Sequence, residues 1–136
     1  MKYKELTHRI IGCAMMVHRA LGCGFQEVIY QRALAIEMKR QGLKHMRENE
    51  MPIFYNGIEI GTRRVDFFVG EVVMVEIKAV AKFEDVHLTQ AMNYCEAYNI
   101  SIGLLINFGA KSLEFKRIYN TKHFDNKEYG LKHCLN

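Results

Sequence analysis

Leu6, Ile10, Ala14, Val17 and Leu21 recur at the spacing of one helical face, which predicts a helix over 4–21. The run Gly22-Cys23-Gly24 ends it, because glycine tolerates the positive φ that a chain adopts on leaving a helix. A second helix is expected over 26–41, with Val28, Ala33, Leu34, Ile36 and Met38 apolar and Gly42 as its stop. The period then changes. Strands are expected over 45–55 and 58–69, on either side of an Asn56-Gly57 hairpin turn, and over 72–79 as the third strand of a meander. Pro52, the only proline, cannot donate to a ladder, so the first strand should be an edge strand or carry a bulge. A helix over 86–99 is introduced by Glu84 or Asp85 and striped with Leu88, Ala91, Met92, Cys95 and Tyr98. The apolar run ISIGLLINF at 100–108 reads as a buried strand, and 113–119 as a last strand after a turn. The order ααβββαββ implies an α/β or α+β domain with one mixed sheet and helices against it. The tail, 120–136, is polar with no clear period, and no repeat or linker divides the chain, so a single domain is expected.

One stretch departs from simple patterning. In RVDFFVGEVVMVEIK, at 64–78, each of two apolar strands carries an acid where an apolar residue would be expected, Asp66 on one and Glu76 on the other. Successive strand side chains alternate, so Met74, Glu76 and Lys78 share one face, and Val73, Val75 and Ile77 the other. Charges inside such a run are costly unless they are partnered or hold a metal. Turn parity adds a condition. A two-residue turn at Gly70-Glu71 would pair Val69 with Val72 and set Asp66 opposite Val75, facing away from Glu76. For the acids to converge, either the loop has an odd count, as with Gly70-Glu71-Val72 and Val69 opposite Val73, or a strand is bulged. A functional site here therefore predicts the less common turn.

Composition narrows the class without naming a function. The chain has 136 residues, 49% hydrophobic and 25% charged, which is ordinary for a globular domain able to bury a core without staples. No apolar run approaches a membrane span, and MKYKELTHRI lacks the apolar stretch of a secretory signal. Cys13, Cys23, Cys95 and Cys134 are far apart and form no zinc spacing, as expected for reduced thiols in a cytoplasmic protein. A formal net charge of +4 permits nucleic-acid binding without arguing for it. Gly22-x-Gly24 is no dinucleotide loop, because a helix precedes it where that fingerprint needs a strand.

An Asp followed ten positions later by Glu-x-Lys, on adjacent strands, suits metal-dependent phosphodiester cleavage. Mg²⁺ takes oxygen ligands, usually one or two carboxylates with waters and phosphate. Such an ion polarises a phosphate and lowers the pKa of a bound water. Lys78 can orient or deprotonate that water, or oppose charge building on the phosphate. Glu27, starting the second helix, is a candidate third carboxylate. His87, Gln90 and Tyr94 lie along one side of the third helix.

This pattern resembles the PD-(D/E)XK nuclease superfamily, with Asp66 as the first acid, Glu76-Ile77-Lys78 as the Glu-x-Lys element and Glu27 as the helix-borne acid. It is similar in particular to the bacterial family named for a GxxExxY motif, here Gly24-Phe25-Gln26-Glu27-Val28-Ile29-Tyr30. His87-x-x-Gln90-x-x-x-Tyr94 and GLLINFGAKSLEFKRI at 103–118 resemble that family too, and the likeness runs over about 5–119. Val65 stands where the superfamily has proline. The resemblance implies a restriction-endonuclease-like core with a central mixed sheet flanked by helices. It implies Glu27, Asp66, Glu76 and Lys78 as catalytic, with Asp66, Glu76 and Glu27 around Mg²⁺ or Mn²⁺. Gln90, Tyr94 and Tyr30 are then candidates for substrate contact or for support of the site. The expected partner is nucleic acid, DNA favoured over RNA, with no membrane.

Blander explanations compete with each of these. Asp66, Glu76 and Lys78 would also suit a structural ion-pair cluster. Glu27 is favoured at a helix start by the dipole alone. Tyr30 suits core packing, and His87 a helix start. Arg63, Arg64, Lys82, Lys111, Lys116 and Arg117 suit a phosphate backbone or a solvated sheet edge equally well. The competing functions are a non-catalytic nucleic-acid-binding or scaffolding domain and a small-molecule enzyme, the latter disfavoured by the lack of a phosphate-cradling glycine loop. No separate DNA-reading module is visible, so specificity falls to a partner or a homodimer.

Overall fold

The computed structural model describes residues 3–123, so most of the polar tail lies outside the described residues. The elements follow in the order α1 (Lys4–Leu21), α2 (Glu27–Arg40), β1 (His45–Tyr55), β2 (Ile58–Val69), β3 (Val73–Lys78), α3 (Asp85–Ala97), β4 (Ile102–Asn107) and β5 (Glu114–Tyr119). The five strands form one sheet in the order β1-β2-β3-β4-β5. β3 and β4 run parallel, joined through α3, and the other neighbours are antiparallel. The expected mixed sheet is thus present.

Helices cover both faces. α1 and α2 bury Ile10, Ala14, Val17, Leu34 and Met38 against Phe67, Val73, Val75 and Ile77. α3 buries Ala91 and Cys95 against Val65, Met74 and Ile118 on the other side. This is why ISIGLLINF shows no alternation: β4 is central, and all six of its residues are buried. Met74 and Val75 fall in different cores, as the alternation along β3 requires.

Both features expected of Pro52 are found. β1 is an edge strand, and its register with β2 shifts between Ile53 and Phe54, next to the proline. α3 starts one residue earlier than its apolar stripe suggests. The Glu84 side chain accepts from the His87 backbone, and the Glu84 N–H donates to His87 Nδ1 at 3.0 Å, a reciprocal cap that assigns His87 to the helix start. α3 also stops before Asn99, which takes a positive φ of 52°. Cys13 and Cys95 are buried free thiols and Cys23 an exposed one, while Cys134 lies outside the described residues. No helix among the described residues is long and apolar enough to cross a membrane.

Candidate functional site

β2 and β3 begin as a regular pair and then separate. The connection is the odd one: Val69 pairs with Val73, Phe68 with Met74 and Phe67 with Val75. Gly70 and Glu71 both take positive φ, 58° and 61°, and the Val72 N–H donates to the Val69 carbonyl at 3.1 Å. Val72 is therefore the extra residue after a tight turn. Carried one step further, this register sets Asp66 opposite Glu76, and there the ladder stops. The Ile77 N–H donates to Asp66 Oδ2 at 2.8 Å, and the Asp66 N–H makes a long bond of 3.4 Å to Glu76 Oε1. Side-chain carboxylates have taken the place of the backbone carbonyls.

The pairing of β2 with β1 is irregular at the same point. Arg47 pairs with Phe67 and Asn49 with Val65, but the pair between them, Glu48 with Asp66, is absent, and Glu48 takes a positive φ of 54°. Phe67 packs with α1 and α2, whereas Val65, two residues earlier, packs with α3. Strict alternation would put both on one face. β2 thus changes face at Asp66. The odd loop and the local irregularity, alternatives in the sequence, occur together. The acids come together at the seam between the strands rather than side by side on one sheet face.

Each acid is held from a different layer. From the α2 side, Gln31 Nε2 donates to Asp66 Oδ1 at 2.8 Å. On the α3 side, Glu76 is 5% exposed and senses Arg63, whose guanidinium carbon lies 4.4 Å from the centre of the Tyr94 ring. Burial, and then the charge of Asp66, push the Glu76 carboxyl up to about 8, with Arg63, the Asp66 amide and Lys78 opposing the rise. Burial also raises the Tyr94 hydroxyl, and it pushes the Cys95 thiol up to about 12. Asp66, Glu76 and Lys78 appear in none of the salt bridges among the described residues. An ion-pair cluster predicts such contacts, so that explanation of the trio has no support in the geometry.

The remaining sequence candidates are dispersed. Lys78 is half-buried and ends β3 two residues past Glu76, on the same face. Glu27 is exposed at the first position of α2, one turn before Gln31 and on the same stripe. Gln90 is exposed, one turn before the half-buried Tyr94 on α3. Tyr30 cannot touch a substrate in this conformation, because it is 0% exposed. Its ring stacks on Phe108 at 4.7 Å, and its hydroxyl donates to the Gly22 carbonyl at 2.5 Å and accepts from the Phe25 N–H at 3.1 Å. Tyr30 ties down the loop that leads to Glu27.

Two supporting residues escaped sequence reasoning. Gln31 had no signal, being one polar residue on a mixed helix. Asn107 lay inside the GLLINFG run without a role. It is 0% exposed, and its side chain accepts from the Val80 N–H and donates to the Val80 carbonyl, each at 2.9 Å. It also donates to Glu114 at 2.8 Å and accepts from the Gly109 N–H at 2.9 Å. The chain just after Lys78 is thereby clamped. A Cβ on Gly109 would lie 2.4 Å from the Val80 nitrogen, so only glycine permits this approach.

The donors at the seam are oxygens: two carboxylates and the Gln31 carboxamide, whose Oε1 is buried and has no hydrogen-bond partner among the described residues. That set fits a hard divalent cation. No group of three or more His, Cys, Asp or Glu that could hold a metal ion exists among the described residues.

A family model of the PD-(D/E)XK nuclease superfamily matches residues 4–118. Among solved structures the chain is similar to SSO0001, with 18% identity and a TM-score of 0.54, over 74% of this chain and 52% of the other. The chain thus spans about half the length of that protein, and the likeness supports a restriction-endonuclease-like core. No curated protein matches the chain.

Proposed function

The chain belongs to the PD-(D/E)XK nuclease superfamily, and on that premise we propose that it is a nuclease dependent on Mg²⁺ or Mn²⁺, hydrolysing phosphodiester bonds in DNA rather than RNA. The observation that carries this reading is the interrupted ladder: in register, Asp66 faces Glu76, and both carboxylates stand where backbone pairing has stopped, without a salt bridge. Strands do not give up ladder bonds at a buried seam without a compensating use for the groups placed there.

Asp66 and Glu76 would hold the cation, which supplies Lewis acidity toward the phosphate and acidifies a water. Asp66 is preset for this, because the Ile77 amide and Gln31 fix both of its oxygens. Glu76 is costly to ionise in its buried position, and a neighbouring cation is what would let it carry charge at neutral pH. Lys78 brings an ammonium to oppose charge on the phosphate. Glu27, Gln90 and Tyr94 are further candidates for contact with the substrate, and Arg63, over the Tyr94 ring, adds a cation beside Glu76. The Gly24–Tyr30 motif supports assigning the protein to the GxxExxY branch.

The test is titration calorimetry with Mn²⁺, joined to cleavage assays on single- and double-stranded DNA and RNA. Asp66→Ala and Glu76→Ala should each abolish Mn²⁺ binding with modest loss of folding. Lys78→Ala should retain binding and lower cleavage about 10³-fold. Equal affinity and equal cleavage in all three variants would remove the site from consideration. Nucleic-acid binding with no cleavage under either metal would leave a scaffold that retains the nuclease fold.

A further inference from the structure

Gln31 makes one hydrogen bond and lacks another. Its Nε2 donates to Asp66 Oδ1 at 2.8 Å, and that bond sets the orientation of the carboxamide, since the flipped amide would press a carbonyl oxygen against a carboxylate oxygen. Oε1 is then left over. Gln31 is 7% exposed, and Oε1 is sealed from solvent with no donor among the described residues. An orphaned buried carbonyl is costly, and a functional site is one of the few places where the cost is tolerated. Amide bond lengths place Oε1 within roughly 5 Å of the Asp66 carboxylate.

What could satisfy it is limited by size. A water needs about 2.8 Å to a partner oxygen, and the protein surface closes over this atom. A Mg²⁺ or Mn²⁺ ion approaches oxygen to about 2.1 Å and accepts carbonyl oxygens beside carboxylates and water. The atom therefore has the chemistry, and the small approach distance, of a ligand for such an ion. Glu27, the helix-borne acid expected in this role, is exposed one turn earlier on the same stripe of α2.

We infer that Gln31 is the helix-borne ligand of the divalent cation, through Oε1, while its nitrogen holds Asp66 in position. The inference rests on the metal-dependent reading of the Asp66–Glu76 seam and adds to it a neutral third donor on α2. A neutral donor lowers the negative charge of the set. The site should accordingly bind its ion more weakly than a three-carboxylate site would.

Gln31→Glu decides the matter, because ligation and mere positioning predict opposite signs. A glutamate cannot donate to Asp66, so a positioning role alone predicts weaker Mn²⁺ binding. Ligation through oxygen predicts tighter binding, about tenfold, with the metal-free protein melting lower because two carboxylates then face each other. Calorimetry with Mn²⁺ and melting with and without Mn²⁺ should be run on all variants at one common pH. Gln31→Met is the companion variant: it fills the same space without oxygen and should weaken Mn²⁺ binding at least tenfold. Unchanged or weaker binding in Gln31→Glu, with wild type binding Mn²⁺ and Asp66→Ala not binding it, overturns the ligand role and leaves the nuclease reading intact. Wild type that fails to bind Mn²⁺, or Asp66→Ala that binds it as wild type does, overturns the nuclease reading and the ligand role with it.

Discussion

The two ends of the β2–β3 pair are built from the same strands and serve opposite ends. At the turn, Val69 with Val73, Phe68 with Met74 and Phe67 with Val75 form a closed ladder between two apolar cores. One step beyond Phe67 and Val75, the ladder is replaced by bonds from the Ile77 and Asp66 amides to the carboxylates of Asp66 and Glu76. The closed end has no charged side chain in the ladder and contributes to stability by burial. The open end keeps its backbone amides satisfied with acids, and so holds two carboxylates in a buried seam without leaving N–H groups orphaned. A strand pair can change from scaffold to site within one residue, provided that a side chain takes over the partner's backbone role.

The comparison breaks most completely if the register is changed. Deleting Phe68, with the three-residue turn keeping Val69 opposite Val73, pairs Phe67 with Met74 and sets Asp66 opposite Val75, which turns Asp66 away from Glu76. Mn²⁺ binding and cleavage should both disappear, in a protein that still melts cooperatively, though at a lower temperature. Retention of wild-type Mn²⁺ affinity by the deletion would show that the register of β2 on β3 does not control the seam.

The closed end should be sensitive in stability instead. Phe67 is 0% exposed, and Phe67→Ala should cost about 3–5 kcal/mol in denaturant unfolding. The fraction that remains folded should keep its Mn²⁺ affinity. A loss of affinity without a loss of stability would show that the two ends are not separable.

Per pH unit, proton linkage gives the smallest and most specific signal. The Glu76 carboxyl, pushed up from 4.5 to about 8, binds its proton more tightly in the folded protein than in the unfolded chain. Its contribution to stability is full below about pH 4.5, declines as pH rises through the interval to about 8, and is flat above that. The decline is on the order of 1 kcal/mol per pH unit. The quantity to measure is the difference between wild type and Glu76→Gln in urea melts across this interval, which isolates this one group. Saturating Mn²⁺ should flatten the pH dependence of that difference, because a cation favours the carboxylate. Parallel curves for the two proteins would contradict the assignment.

The legible parts of this fold are those whose signal is local. The bounds of α1, β1 and β2 coincide with the expected 4–21, 45–55 and 58–69, because a helical stripe and a glycine stop define the first and an Asn-Gly turn divides the others. The ends of β4 and α3 were read too long by one or two residues, since an apolar run does not show where pairing stops or where Asn99 takes its positive φ. The acids Asp66 and Glu76 were visible as charges out of place in apolar strands. Tyr30 was visible within its motif, yet whether it faced the seam or the core was not.

By itself, the sequence determined the elements, the mixed sheet and the unusual acids, because periodicity and misplaced charge are properties of neighbours along the chain. It also reduced the arrangement of the acids to a question of parity. Only the tertiary structure decided that β2 changes face at Asp66, that Gln31 of α2 reaches Asp66, that Arg63 stacks on Tyr94, and that Asn107 clamps the chain after Lys78. Each of those depends on how a helix or a strand docks against another distant in the chain, and docking is set by the packing of whole faces, which no single residue encodes.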